Sequence, residues 1–425
     1  MKYNILVFPC GSEIALEIYR SLKFSNHVNL FGANSVDDHG KFIFENYIGG
    51  VPFYNSENFI DRINEIIEEY KIDAIYPAMD SVITEFSKYS NHINCKIIGS
   101  NDITNKICLS KKKTYEILKN KIQCPKEYSF EKISENDFPL FLKPEIGYGS
   151  RGTLKVYNKD QINNHLQSYP DSLILEFLPG KEITIDCFTD RNGNLRFFGA
   201  RERRRISNGI SVNTILYKDN KEEIENIVNN INNTIQFRGA WFVQLKKDVN
   251  NNFSLLEIAS RLGGSSSLYR NLGINFSLLS VYDIFDNDVK IFYNHFNIEL
   301  DRALDNKYKI SIYYEEVYCD FDDCLIIENK VNIQLLSFLF QCINETKKVI
   351  LITKHNKNIQ ETLVKYRLEN LFDSIIHLKS DDNKYKFIKN LNSIFIDDSY
   401  QERFEVYNKL NIPVFSPDNV EALLK

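Results

Sequence analysis

The apolar positions of the chain change rhythm twice. From residue 1 to 108, short apolar runs alternate with stretches at helical spacing. Ile5–Phe8 is a run closed by Gly11, after which Ile14, Leu16, Ile18, Tyr19 and Leu22 recur on a near-helical period. Val28–Phe31, Ala74–Ala78 and Ile97–Gly99 read as further strands, and an amphipathic stretch from Phe59 to Tyr70 precedes the second of them. Strands separated by helices predict a parallel sheet. Beyond it, Leu140–Pro144, Gly152–Tyr157, Leu173–Phe177, Glu182–Phe188 and Leu195–Glu202 are strand-like with turn residues between them, which predicts antiparallel pairing. Ile224–Ile235 has helical spacing despite its many asparagines. After about Asp305 the alternation resumes, with strands at Val317–Cys319, Val349–Thr353, Ile375–Leu378 and Ile394–Ile396.

The rhythm thus divides the chain into α/β, α+β and α/β units, the first a small Rossmann-like one. With 425 residues, 43% of them apolar, there is material for several cores, and a wholly disordered chain is excluded. Fifty-two basic residues against 57 acidic ones leave a net charge of −5, which argues against non-specific binding to nucleic acid or to an anionic membrane. No apolar run approaches the roughly 18 residues that cross a bilayer. The first apolar segment is too short for a signal peptide. Eight scattered cysteines show no Cys-x-x-Cys pair, so free thiols and a cytoplasmic location are expected.

Candidate chemistry gathers first around Lys143-Pro144 and the glycines Gly147, Gly149 and Gly152. The Gly-x-Gly-x-x-Gly match is followed by a strand-like rather than a helical stretch, so it fails as a dinucleotide fingerprint. It reads instead as a hairpin loop, including Ser150, whose backbone N–H groups approach phosphates while Lys143 adds charge. Downstream, Trp241–Lys247 and Phe253–Ala259 flank a turn. A symmetric hairpin centred between Asn250 and Asn251 sets Gln244 opposite Glu257, two oxygen ligands suited to magnesium. Alternate positions in Arg201–Arg205 suggest that Arg203 or Arg205 binds phosphate or a substrate carboxylate.

These ordered motifs resemble the ATP-grasp superfamily, in particular its carbamoyl-phosphate-synthetase-like branch, over about residues 1–300. The resemblance implies ATP and Mg2+, with Glu176 and the backbone of Phe177 and Leu178 at adenine and Glu182 at the ribose. One of Lys111–Lys113 matches the lysine or arginine that opens the nucleotide-binding subdomain, and Arg261 would steady an acyl phosphate. The chain departs from the family at Ala259, where an asparagine metal ligand is usual; Ser260 points to the opposite face of a regular strand.

In the last unit Asp320 and Asp322 follow a strand, with Asp320 as candidate nucleophile, Asp322 as acid/base and magnesium nearby. Thr353 and Lys384, with Lys379 as a rival, are candidate phosphate binders, and Asp397 and Asp398 are candidate metal ligands alongside Asp320 and Asp322. Four motifs in this order resemble the haloacid-dehalogenase (HAD) phosphatase superfamily, here without a sizeable cap.

The expected fold is therefore α/β and α+β multidomain: a Rossmann-like pre-ATP-grasp domain (1–108), an ATP-grasp domain (109–310) and a capless HAD-like α/β domain (311–425). The expected function is bifunctional. One half is an ATP-dependent carboxylate–amine ligase working through an acyl phosphate; the other is a Mg-dependent phosphatase working through an aspartyl phosphate. An ATP-grasp kinase without ligation, or an ATP-sensing module regulating the phosphatase, are the alternatives. Partners would be ATP, a small carboxylate with an amine, and a phosphorylated small molecule; no nucleic acid or membrane is expected, and a homodimer stays open.

Overall fold

The computed structural model describes residues 2–147, 149–207, 209–291, 294, 296–303 and 310–425. The chain forms two compact units, Met1–Leu304 and Asp305–Lys425. Residues 304–309, just ahead of the expected boundary at 310/311, lie outside the described residues.

Among the described residues the first unit holds three sheets. The first is parallel, in the order β3-β2-β1-β4-β5: β1 (Tyr3–Phe8), β2 (Val28–Ala33), β3 (Asn46–Ile48), β4 (Ala74–Pro77) and β5 (Lys96–Ile97). The amphipathic stretch is the helix Phe59–Tyr70. It buries Phe59, Ile63, Ile66 and Ile67 on one stripe and stops at Lys71, whose φ of 52° leaves the helical region. One buried cluster joins Ile5, Val7 and Ile18 to Phe188, Leu262, Leu268 and Phe276, so residues on both sides of position 108 share a core.

The second sheet has three antiparallel strands, β7-β6-β8: β6 (Leu140–Pro144), β7 (Leu154–Val156) and β8 (Ser172–Glu176). The third has six, in the order β13-β12-β9-β10-β11-β14: β9 (Glu182–Thr189), β10 (Leu195–Ser207), β11 (Ile210–Leu216), β12 (Gly239–Lys247), β13 (Phe253–Ala259) and β14 (Glu299–Asp301). Every pairing in it is antiparallel. The helix Lys221–Thr234 buries Ile224, Val228 and Ile231 in the same cluster as Ile183, Ile185, Val243 and Leu245. That cluster claims the odd-numbered positions of β9 and of the second half of β12, leaving the even ones for the opposite face.

The second unit is built on a parallel sheet in the order β19-β18-β15-β20-β21: β15 (Glu316–Cys319), β18 (Lys348–Thr353), β19 (Ser374–His377), β20 (Ser393–Ile396) and β21 (Val414–Phe415). Between β15 and β18 stand a small hairpin, β16 (Ile326–Ile327) with β17 (Lys330–Val331), and the helix Ile333–Asn344.

Candidate functional site

In β6, strand alternation sends Leu140 and Leu142 into a buried cluster and turns Phe141 and Lys143 to the other face. That face lines a pocket between the three-stranded and six-stranded sheets. Gly147, Gly149 and Ser150 of the β6–β7 loop line it from one side. Glu176, the last residue of β8, lines it with Phe177 and Leu178 just beyond, and Glu182, Arg203, Gln244 and Glu257 reach it from the six-stranded sheet. Gly149 and Ser150 both have positive φ, 61° and 55°. At Gly209 a β-carbon would stand 2.4 Å from the Gly149 carbonyl carbon, so only glycine lets the β10–β11 turn approach the loop this closely.

Of the three candidate lysines, Lys111 faces the pocket. Ser110 caps the helix Lys111–Leu118 by accepting from Lys113 N–H, which sets Lys111 at the first helical position. Its Nζ donates to the carbonyls of Gly147 (3.0 Å) and Glu145 (3.4 Å). Lys143 Nζ donates to Leu256 O at 3.0 Å and lies 3.7 Å from Glu257 Oε2. Burial pushes Lys143 down to about 8, only partly offset by Glu257, and it lowers Lys111 as well. Burial works to raise Glu257, but Lys143, Lys111, Arg203 and Arg261 together hold it below the usual carboxylate range.

Gln244 and Glu257 stand directly opposite each other, for a different reason from hairpin symmetry. The outer pairs are Lys247 with Phe253 and Leu245 with Leu255, so the turn is centred on Asn250. A bulge at Leu256 then adds one residue to β13. Phe253 and Leu255 belong to the core, and in a regular strand Glu257 would follow them there. The extra residue turns Glu257 to the pocket instead. The bulged carbonyl of Leu256 accepts from both Lys143 and Tyr115 Oη (2.7 Å).

The arginine run also contains irregularities, at Arg203/Arg205 and Arg205/Ile206, and they correct the expectation that alternate arginines share a face. Arg203 enters the pocket, pairing with Glu182 and donating to Gln244 Oε1 at 3.1 Å and Gly209 O at 2.6 Å. Arg205 pairs instead with Asp301 of the edge strand β14 at 2.8 Å, in an exposed position, and does not line the pocket. Arg201 is buried against Asp186 at 2.6 Å. Arg261 lies outside the pocket lining and pairs with Asp80 at 2.6 Å, at the start of the helix after β4. Ser260 is turned away, donating to Asn105 at 2.7 Å, and Ala259 offers no ligand beside Glu257.

Residues 168–300 match a family model described as ATP-grasp in the biosynthetic pathway with Ter operon. This segment belongs to the ATP-grasp superfamily. D-alanine–D-alanine ligase B of Clostridium perfringens is 32% identical over 110 residues, 23% of this chain and 35% of that protein, so the chain spans about a third of the length of the curated relatives it matches. Among solved structures, the biotin carboxylase domain of Hydrogenobacter thermophilus 2-oxoglutarate carboxylase, in complex with MgADP, ADP and bicarbonate, has a TM-score of 0.58 at 18% identity. That similarity covers 69% of this chain and 71% of that one. An L-amino acid ligase from Bacillus licheniformis has a TM-score of 0.53 at 18% identity, covering 67% and 74%. At these identities the likeness is one of ATP-grasp fold.

Apart from the ATP-grasp segment, a second cluster lies at the carboxyl ends of β15, β18 and β20. Asp320 follows β15, Thr353 ends β18, and Asp397 and Asp398 follow β20. Lys384, a residue 3% exposed, donates from Nζ to Asp320 Oδ1 at 2.7 Å and Asp397 Oδ2 at 2.6 Å. Lys379 is exposed and its backbone N–H is held by Asp382, so Lys384 is the lysine of this cluster. Burial raises Asp320 to about 7, with Asp397 adding to the rise and Lys384 opposing it; burial raises Asp397 too. Burial works to lower Lys384, and the two carboxylates outweigh it and raise it.

Among the described residues, oxygens of Asp320, Asp397 and Asp398 converge within 4.8 Å, a donor set that suits a hard divalent cation. Asp322 is the correction: its carboxylate is not in that group and turns to His355 Nδ1 at 2.9 Å. The sequence gives no signal for His355, because a single histidine two residues after a strand-end threonine carries no characteristic spacing.

Proposed function

We propose that the chain carries two chemical sites, a carboxylate–amine ligase in the first unit and a phosphatase in the second. The observation that carries the ligase reading is the convergence of Lys111, Lys143, Glu182, Gln244 and Glu257 on one pocket beneath a glycine loop. ATP would lie between the two sheets, its adenine against Leu178 and the backbone around Phe177, Glu182 at the ribose and Lys143 and Lys111 at the phosphates. Gln244 and Glu257 suit a magnesium ion: both are oxygen donors facing each other, and both now rest against cationic side chains. When bound, the ion offsets phosphate charge.

A carboxylate oxygen of the substrate would attack the terminal phosphorus as the bridging P–O bond breaks and ADP departs. An amine nitrogen would then bond to the acyl carbon, phosphate would leave, and the nitrogen would lose a proton. Lys143, desolvated and held by one carbonyl and one carboxylate, is free to turn to the transferred group, and Arg203 could exchange Glu182 for a substrate anion. The test is ADP formation from Mg-ATP by the Asp320→Asn protein with amino acids singly and in pairs. Turnover that needs both a carboxylate and an amine supports ligation; turnover with a carboxylate alone favours a kinase; no turnover despite ATP binding favours a sensor.

The phosphatase reading rests on Lys384 bridging Asp320 and Asp397, which follow the paired strands β15 and β20. Asp320 would attack phosphorus, forming an aspartyl phosphate that water hydrolyses, with Asp322 exchanging the proton and Thr353 and Lys384 at the phosphate oxygens. Asp320, Asp397 and Asp398 would hold magnesium, which screens charge on the phosphate. Phosphate release from p-nitrophenyl phosphate with Mg2+ tests it; the reading requires that Asp320→Asn abolish the activity.

A further inference from the structure

His355 has more specific surroundings than a buried histidine needs. It is 9% exposed, two residues beyond the end of β18. Nδ1 lies 3.0 and 2.9 Å from the two carboxylate oxygens of Asp322. Nε2 lies 3.1 Å from Thr362 Oγ1, on the helix Ile359–Tyr366. The ring stands edge-on to Phe321, centroids 5.3 Å apart. The backbone is held as well: N–H donates to Thr353 Oγ1 at 3.1 Å, and the carbonyl accepts from His377 Nε2 at 2.6 Å. Every hydrogen-bonding atom of the residue is engaged.

The directions follow from the donors. Thr362 gives its own hydroxyl proton to Asn358 O at 2.9 Å, so its oxygen accepts from His355 Nε2–H. Nδ1 is then left to the Asp322 carboxylate, and a hydrogen bond there requires one proton between the pair. The Asp322 side chain is 53% exposed, so without this partner little would select its orientation. Its backbone is fixed separately, by a bridge to Ile326 at the start of β16.

We infer that His355 is a positioning residue, held by Thr362, that fixes Asp322 as the group delivering the proton to the leaving oxygen. The inference rests on the phosphatase reading. In the first half of that reaction, an Asp320 carboxylate oxygen bonds to phosphorus, the ester P–O bond breaks, and the departing oxygen takes the proton held at Asp322. In the second, a water oxygen bonds to phosphorus, the P–Oδ bond breaks, and a proton of that water returns to Asp322. Ester and water are consumed; alcohol and phosphate are formed.

Two esters of similar shape test it, in the full chain with Mg2+. Phenyl phosphate releases a strongly basic oxygen that needs a proton, whereas p-nitrophenyl phosphate releases one that needs it far less. His355→Leu should lower kcat for phenyl phosphate at least about tenfold more than for p-nitrophenyl phosphate, with little change in KM. The ratio between esters is insensitive to any loss of folded protein. His355→Asn, which keeps an N–H near the Nδ1 position, should recover part of the loss, and Thr362→Val should show a weaker version of it. Equal losses on both esters would overturn the positioning role. A wild-type chain that hydrolyses neither ester would overturn the phosphatase reading itself, and the inference with it.

Discussion

Lys143 is largely withdrawn from solvent and Lys384 is buried, and their surroundings drive them in opposite directions. Lys143 has a carbonyl at 3.0 Å and a carboxylate at 3.7 Å, and desolvation wins, pulling it to about 8. Lys384 has carboxylates at 2.7 and 2.6 Å, and their charge wins. The first environment is short of negative charge around its cations, as a site for polyphosphate should be. The second holds more carboxylate than its lysine neutralises, as a cation site should. The two lysines thus carry the contrast between the proposed nucleotide pocket and the proposed cation site.

The same substitution at both positions breaks this comparison most sharply. Lys384→Met leaves Asp320 and Asp397 buried together without their cation and should cost about 3–5 kcal/mol of the second unit's stability in chemical denaturation. Lys143→Met should change stability by less than about 1 kcal/mol, because Lys111, Arg203 and Arg261 still face Glu257. Equal losses would mean that both lysines are structural.

The next effect is the response to magnesium. At about 100 times its dissociation constant the ion should stabilise the second unit by about 2.7 kcal/mol. Asp398→Asn should reduce this shift, and Asp322→Asn should leave it intact, since Asp322 turns away from the converging oxygens. A shift lost in both variants would restore Asp322 to the metal site.

The neighbouring arginines give a smaller contrast. Arg203→Ala should weaken ADP binding, measured by calorimetry, by about 1–3 kcal/mol through the loss of a charged hydrogen-bond partner. Arg205→Ala should leave it unchanged, because that side chain is committed to Asp301 on an exposed edge. A loss with Arg205→Ala would show that the β10–β11 edge reaches the nucleotide.

The last expected effect is a shift along the pH axis. Lys143 in the nucleotide-free protein should acylate with a midpoint near pH 8, read by mass spectrometry, and bound MgATP should protect it. A lysine depressed in the folded state binds fewer protons than it does unfolded between about 8 and its ordinary 10.5. Its cost to stability is therefore full below pH 8 and relieved as pH rises from there to 10.5. A midpoint at the ordinary lysine value would remove the desolvated environment from the account.

What the sequence made legible, and what it hid, divides along the same physical lines. Residues carried by strand alternation or by position at a strand end could be found: Lys143 on the open face of β6, and Asp320, Thr353 and Asp397 at the ends of three strands. The bulge at Leu256 could not, because one added residue reverses a face without altering composition. The irregularity around Arg205 likewise separated it from Arg203. Lys111 stood out from its neighbours only once Ser110 capped the helix and set its direction. β14 is not legible in the sequence because Glu299–Asp301 is mostly exposed at an edge and carries little apolar signal. His355 and Asp322 meet only through tertiary contact between the β15 end and the β18 end.

The central claim, two separable chemistries in one chain, is tested most directly by assaying ADP formation and phosphate-ester hydrolysis in two variants side by side. Lys143→Met should abolish ADP formation from Mg-ATP with a carboxylate–amine pair while leaving p-nitrophenyl phosphate hydrolysis at the wild-type rate. Asp320→Asn should do the reverse. Either substitution silencing both activities, or neither activity responding to its own substitution, would contradict the account.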